Sequence, residues 1–153
     1  MLDRARHAGV TRVVVPAYDP ATWDPIEELA TAHAGAVFPA LGLHPWVADH
    51  RLDLDDLAHR LRQSGAVAIG EIGVDARVDQ PALTVQVAVL ERQFELACDL
   101  DLPVILHCRG AFEDLAGILA RFTPRLSGVL HAFARPAELA ARFVGLGLHL
   151  GLG

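Results

Sequence analysis

The chain has 153 residues, which predicts one domain, and its 52% hydrophobic content is typical of a parallel sheet buried on both faces. The net charge of −6 argues against a broad basic surface for binding a nucleic-acid backbone, although bound divalent cations can supply positive charge locally to a nucleic-acid substrate. All 13 basic residues are arginine, which excludes Schiff-base, P-loop and carbamylated-lysine chemistry from this segment.

Cysteine usage and hydropathy predict the cellular compartment. The two cysteines, Cys98 and Cys108, form no Cys-x-x-Cys pair, so a disulfide framework is not expected. No apolar run approaches the roughly 18 residues that a membrane span needs, and the first residues lack the pattern of a signal peptide. We therefore expect a cytoplasmic location, no membrane association and no obligate protein partner.

Apolar runs and helical spacings alternate along the chain. In chain order they predict a helix end at Leu2–His7 capped by Gly9, then strand Val10–Ala17, helix Asp24–Ala34, strand Ala36–Leu43, helix Leu52–Leu61, strand Ala66–Ile72, helix Ala82–Leu100, strand Pro103–Leu106, helix Phe112–Phe122, strand Gly128–Leu130, helix Ala137–Val144 and strand Leu146–Leu152. Strands separated by helices in this way indicate a parallel sheet with right-handed crossovers.

This alternation predicts the α/β class and a TIM-type (β/α) barrel. A closed barrel of this type has eight strands and about 250 residues, whereas six strands are predicted here. The chain starts within a helix and ends on an uncovered strand. We therefore expect residues 1–153 to form a single incomplete barrel domain that contains strands 2 to 7 of the eight.

Four of the apolar runs end in an ionisable residue. These residues are His44, Glu71, His107 and His131. In a (β/α) barrel the carboxyl ends of the strands converge on one mouth, where a buried carboxylate without a partner would be costly unless a cation bound it. Imidazole and carboxylate ligands suit zinc, manganese or iron, and magnesium where oxygen ligands dominate. The pattern predicts Glu71, His107 and His131 as metal ligands; the alternatives are a structural ion pair for Glu71 and hydrogen-bonded core positions for the two histidines.

Neighbouring residues are candidates for substrate contacts. His44 could donate a hydrogen bond to a substrate phosphate or cap a turn, and Arg109 could bind a phosphate or form a salt bridge with Asp75 or another acidic loop residue. Asp75 could instead orient a metal ligand, or form a helix N-cap or a loop contact. Trp46 could stack on a base or close the barrel mouth as a lid. Cys108 is expected to pack, and no residue is assigned as a general acid or base.

Taken together, the motifs resemble those of the TatD-related metal-dependent hydrolases, also described as TatD-type deoxyribonucleases. The resemblance runs through most of the chain, with the motifs in the family's order and at its separations. The matching segments are Gly42-Leu-His-Pro45, Ala68-Ile-Gly-Glu-Ile-Gly-Val-Asp75, Gln86 with Gln93 and Ala97, Leu102-Pro-Val-Ile-Leu-His-Cys-Arg109, Gly128-Val-Leu-His-Ala-Phe133 and the glycine-flanked run from Gly145 to Gly153.

The resemblance implies two divalent metal ions, as Mg, Mn or Zn, at the mouth of the barrel. The family's ligands are a His-x-His on strand 1, a glutamate on strand 4, histidines on strands 5 and 6 and an aspartate on strand 8. Glu71, His107 and His131 match the middle three, and the others have no counterpart here. One departure is Ala134-Arg135-Pro136, where the family often has small residues.

The implied activity is hydrolysis of phosphodiester bonds by metal-activated water, with DNA as the substrate. One alternative is the same metal scaffold acting on a lactone, an amide or a small phosphoester, because fold and ligands alone do not determine the substrate. The other is a catalytically incomplete segment that serves only as a scaffold.

Overall fold

The computed structural model describes residues 2–152 and contains one sheet of six parallel strands, whose order in the sheet follows the chain. The strands are β1 (Val13–Pro16), β2 (Val37–Leu41), β3 (Ala68–Asp75), β4 (Val104–Arg109), β5 (Gly128–Phe133) and β6 (Leu148–Leu152). The helices are α1 (Leu2–His7), α2 (Trp23–Ala32), α3 (Leu54–Gln63), α4 (Leu83–Leu100), α5 (Phe112–Phe122) and α6 (Ala137–Gly145). Because each strand pairs with its neighbour in sequence and a helix lies in each crossover, the sheet forms half of a barrel, as predicted.

The hydrophobic core lies between the sheet and the helices. Leu106 of β4, Phe94 of α4 and Leu115 of α5 are fully buried in one cluster. Local sequence defines the helix ends: the carboxylate of Asp53 accepts hydrogen bonds from the first amides of α3, as a favourable N-cap does. Among residues 2–152, no helix combines the length and the apolar sequence that crossing a bilayer requires.

Three strands extend further than the apolar runs predicted. β3, β4 and β5 each continue for three residues past the predicted end, to Asp75, Arg109 and Phe133. The β3–β4 pairing continues through Gly73 beside His107 and Asp75 beside Arg109. The interpretation of Asp75 as a helix N-cap is wrong, because Ala82 is the N-cap of α4, whereas the alternative loop contact is present, from the amide of Arg77 to Oδ1 of Asp75 at 2.8 Å. Two short 3₁₀ helices, Pro20–Thr22 and Pro45–Val47, were also not predicted.

Gly73 permits the close approach of β3 to β4. Its φ of 144° lies in a region that side-chain-bearing residues rarely adopt, and a Cβ at this position would collide with the main chain of His107. The missing side chain therefore lets the polar end of β3 lie directly against the polar end of β4.

Candidate metal centre

Glu71 on β3 lies at the centre of a cluster of histidines. Its Oε1 atom is 3.5 Å from Nε2 of His44, 3.2 Å from Nδ1 of His107 and 2.6 Å from Nε2 of His131. Glu71 lies four residues before the end of β3, His107 and His131 lie two residues before the ends of β4 and β5, and His44 lies three residues after β2. We call these four residues the rim cluster. The sequence-predicted residues Glu71, His107 and His131 thus lie together, and His44 joins them.

The electrostatics of the rim cluster favour a charged carboxylate. Burial acts to raise the pKa of Glu71, but hydrogen bonds from His107 and His44 and the nearby His131 outweigh it, so the pKa lies well below its usual range. Burial acts to lower the pKa of His107, but the carboxylates of Glu71 and Asp75 outweigh it and raise the pKa. The rim cluster therefore stabilises positive charge, and a site that binds a cation must do so.

His44 differs from the other two histidines in its hydrogen bonds. Its Nδ1 accepts the amide proton of Trp46 at 3.2 Å, because His44 is the N-cap of the short helix Pro45–Val47. In a neutral ring with Nδ1 as acceptor, Nε2 carries the proton. His44 therefore directs an N–H group at Glu71, so it suits a hydrogen-bond donor better than a metal ligand.

Asp75 supports His107 from the side opposite Glu71. The Asp75 side chain is fully buried, and its Oδ2 accepts from Nε2 of His107 at 2.9 Å and from the indole Nε1 of Trp46 at 2.8 Å. Its Oδ1 accepts from the amide of Arg77 at 2.8 Å. These hydrogen bonds outweigh the effect of burial and lower the pKa of Asp75. The salt bridge between Asp75 and Arg109 that was an alternative for Arg109 is absent from residues 2–152.

Two buried glutamines on α4 fix the main chain beneath the cluster. The Gln93 side chain binds both the amide and the carbonyl of Leu43, at 2.8 and 3.2 Å, directly before His44. The Gln86 side chain binds the amide and the carbonyl of Asp75, at 2.7 and 3.1 Å. One helix therefore holds both the segment that carries His44 and the end of β3.

A cavity of about 220 Å³ opens beside His107 and His131. We call it the rim cavity. Its wall includes Arg109 and Arg135, and the guanidinium of Arg135 lies 5.0 Å from the ring centre of Phe112. Although the chain is acidic overall, this cavity combines two arginines with two imidazoles, which suits an anionic ligand.

A larger groove between α2 and α3 has paired charges. It is lined by Glu27, Asp56 and Arg60, and Arg60 donates to Glu27 at 2.8 Å and to Asp56 at 3.2 Å. A further pairing of Arg60 with Asp24 at 2.5 Å completes this network. The two imidazole and two guanidinium groups that could bind an anion therefore lie in the rim cavity and not in this groove.

Comparison with known proteins places the chain in a family. The model of the family described as TatD-related DNase matches residues 1–153. The chain belongs to the TatD family. It is 38% identical over 156 residues to YjjV of Escherichia coli K12, an uncharacterised metal-dependent hydrolase, and this alignment covers 99% of the chain and 60% of YjjV.

Two further similarities support the assignment. The crystal structure of YjjV superposes with a TM-score of 0.88 at 36% identity, covering 97% of this chain and 59% of YjjV. A protein of Pantoea ananatis named 3'-5' ssDNA/RNA exonuclease TatD is 33% identical over 99% of the chain and 60% of its own length. The TatD-family chain described here thus spans about 60% of the length of these curated relatives.

The donor set of this TatD-family chain fits a divalent cation. Nδ1 of His107 and Nε2 of His131 lie 3.2 and 2.6 Å from Oε1 of Glu71. His44 lies in the same group, within 4.8 Å of Glu71 and His107, as a hydrogen-bond donor beside these candidate ligands. One carboxylate surrounded by imidazole nitrogens is a set that zinc or manganese accepts. Sequence reasoning did not find the bond between Asp75 and His107. The available signal was strand alternation, which puts residues 71, 73 and 75 on one face once β3 is extended.

Proposed function

We propose that the rim cluster is the metal centre of a hydrolase that cleaves phosphodiester bonds, with single-stranded nucleic acid, and DNA in particular, as its substrate. Glu71, His107 and His131 would hold the cations. The observation that carries this proposal is the meeting of three imidazoles at one oxygen of Glu71 at the carboxyl ends of parallel strands.

The bound cations would supply an activated water at neutral pH and stabilise negative charge on the attacked phosphate. Two cations are proposed because the resemblance to the family implies a metal pair, and because Oε1 of Glu71 lies beside imidazole nitrogens of both His107 and His131, which would help to hold them. Magnesium, manganese and zinc are the candidates.

The chain's own residues would bind and orient the phosphodiester. His44 would donate its Nε2 proton to a phosphate oxygen in place of Oε1 of Glu71, which lies 3.5 Å away and would bind the cations, because its Nδ1 is occupied by the amide of Trp46. Arg109 would bind another phosphate oxygen, since it lines the rim cavity beside His107 and His131. Arg135, in the same wall, adds positive charge where the family often has small residues.

The choice of nucleic acid as substrate is supported by the Pantoea ananatis relative, which is named as an exonuclease for single-stranded DNA and RNA. YjjV, with 38% identity, has a name that gives no substrate.

The experiment is a substrate panel on the 153-residue chain with Mg²⁺, Mn²⁺ or Zn²⁺ added in turn. The panel comprises a 5'-labelled single-stranded oligonucleotide, the same strand in a duplex, a small phosphoester and a lactone. We expect cleavage of the single strand, and loss of that cleavage in Glu71→Gln. His149→Ala, a histidine outside the rim cluster, serves as the matched control.

The outcomes separate the alternatives. Hydrolysis of the lactone or the small phosphoester with an intact oligonucleotide would replace the nuclease proposal by the non-nucleic-acid one. Cation binding without hydrolysis of any substrate would favour a catalytically incomplete scaffold. Absence of cation binding, measured by isothermal titration calorimetry, would contradict the metal centre itself.

A further inference from the structure

Asp75 is a buried carboxylate whose charge partner is an imidazole. Its side chain has no exposed surface, and in the described part of the chain its ion-pair partner is His107. Its remaining hydrogen bonds come from two neutral donors, the indole of Trp46 and the amide of Arg77. Burying a carboxylate costs free energy, and an apolar side chain of similar volume would often serve packing as well or better. A role specific to His107 explains why an aspartate lies here.

The two nitrogens of His107 face opposite groups. Nδ1 lies 3.2 Å from Oε1 of Glu71, within the rim cluster, and Nε2 lies 2.9 Å from Oδ2 of Asp75. Carboxylates accept hydrogen bonds and donate none, so without a cation the ring donates to Asp75 from Nε2 and to Glu71 from Nδ1. A cation bound beside Glu71 replaces the proton on Nδ1, and the shorter bond to Asp75 then keeps the remaining proton on Nε2.

We propose that Asp75 is a positioning residue that fixes His107 for cation ligation through Nδ1, and that Trp46 holds the Asp75 carboxylate in place. This inference rests on the proposed metal centre. It adds a named carboxylate that sets the orientation and the tautomer of one ligand, as carboxylate–histidine pairs do in other metal sites.

Trp46 extends this arrangement to the surface. It lies in the short helix Pro45–Val47, 42% exposed, yet its Nε1 donates to the same Oδ2 atom that accepts from His107. The amide of Trp46 also donates to Nδ1 of His44. Trp46, which lies beyond the end of β2, therefore orients His44 through its main chain and Asp75 through its side chain.

The first test uses the wild-type chain alone. With one equivalent of Zn²⁺ added, long-range ¹H–¹⁵N spectra of ¹⁵N-labelled protein distinguish the histidine tautomers. We expect His107, assigned by the disappearance of its signals in His107→Gln, to retain the proton on Nε2 with Nδ1 bound. A Zn²⁺-bound Nε2 with the proton on Nδ1 would overturn the proposal without any variant of Asp75.

The second test compares Zn²⁺ affinities by calorimetry. Asp75→Asn removes the negative charge that holds the proton on Nε2 of His107, whichever way the amide is oriented. We therefore expect the Zn²⁺ affinity to fall about 10–100-fold, the range found for such outer partners. Trp46→Phe keeps the carboxylate and loses one donor to it, so its loss should be smaller, below about 10-fold.

Leu119→Ala controls for a general loss of stability. Leu119 lies on α5 and is 1% exposed in the core, outside the residues that line the rim cavity. This variant should melt at a lower temperature and keep both the tautomer of His107 and the Zn²⁺ affinity. An unchanged Zn²⁺ affinity in Asp75→Asn would overturn the positioning role while leaving the metal centre intact. A wild-type chain that binds no Zn²⁺ would overturn both.

Discussion

The carboxyl-terminal and amino-terminal ends of the same strands have opposite chemistry. At the carboxyl ends, the rim cluster joins β3, β4 and β5 through hydrogen bonds to Glu71. At the amino ends, a second cavity of about 360 Å³ is lined by apolar residues such as Val14, Ile105 and Val129, with His149 among them. His149 pairs with Val129, two residues before His131, yet it lies outside the cluster. Position along the strand, and not residue type, therefore separates a candidate ligand from an incidental histidine.

Glu71→Gln is expected to have the largest effect on the rim cluster. The substitution keeps the shape of the side chain and removes the charge that three imidazoles share. Because loss of an outer partner alone typically costs about 10–100-fold in metal affinity, we expect the affinity for Mn²⁺ or Zn²⁺ to fall by more than about 100-fold, measured by calorimetry. His149→Ala should leave that affinity unchanged. An equal loss in both variants would contradict the claim that only the carboxyl ends of the strands bind the cation.

Gly73→Ala tests whether the close approach of β3 to β4 supports the cluster. An added Cβ would collide with the main chain of His107 in a strained conformation, so we expect a loss of about 2–4 kcal/mol in the free energy of unfolding, measured in urea. Gly117→Ala is the matched control, because a Cβ there meets no atom within 4 Å and alanine is the better helix former. Equal stability of the two variants would contradict the steric explanation.

The stability of the cation-free chain should have a maximum in mildly acidic solution. The pKa of His107 is raised in the folded state, so its stabilisation is complete below the ordinary histidine value of about 6.5 and is lost as the pH rises through the folded value. The pKa values of Glu71 and Asp75 are lowered, so their stabilisation is present above the ordinary carboxylate range and is lost as the pH falls through their folded values.

Urea unfolding with EDTA present, from pH 4 to pH 9, measures this dependence. We expect the free energy of unfolding to decrease from pH 6 to pH 9, and this decrease to be weaker in His107→Gln, which does not titrate. A free energy that increased over that interval would mean that His107 is not stabilised in its charged form.

Cys108→Ala should have the smallest effect. Cys108 follows His107 on β4 and packs against the hydrophobic core, and burial raises the pKa of its thiol to about 12. An uncharged, half-buried thiol contributes little beyond packing, so we expect a loss within about 1 kcal/mol of unfolding free energy. The Zn²⁺ affinity should not change. A loss of affinity like that of Glu71→Gln would show that the packed face of β4 takes part in the site.

Much of the fold could be predicted because it depends on local patterns. Apolar runs and helical spacings identified all six strands in their order. The ends of β3, β4 and β5 were placed three residues short, because glycine and polar residues interrupt the apolar run where the strands still pair. Hydropathy identifies the buried part of a strand, but its hydrogen-bonded end depends on the neighbouring strand.

The candidate site could be predicted in part for the same reason. That Glu71, His107 and His131 lie together follows from strand ends that converge, whereas their role as ligands stays a prediction. The bond from Trp46 to Asp75 could not be predicted, because it joins residues 29 positions apart through a short helix that no sequence pattern indicated. The position of the proton on Nε2 of His44 depends on that same helix, so it could not be predicted either.

The two glutamines of α4 have a consequence for sequence change at the mouth of the half-barrel. Within residues 2–152, the Gln93 side chain binds the main chain of Leu43, and the Gln86 side chain binds the main chain of Asp75 and Pro81. Every residue except proline has the same peptide N–H and C=O groups, so these contacts do not depend on which side chains lie at positions 43 and 75. Side chains at the opening can therefore change, and with them the ligands that enter the cavity. The spacing between the Leu43 segment and the end of β3 is set by α4, which contributes no reactive group.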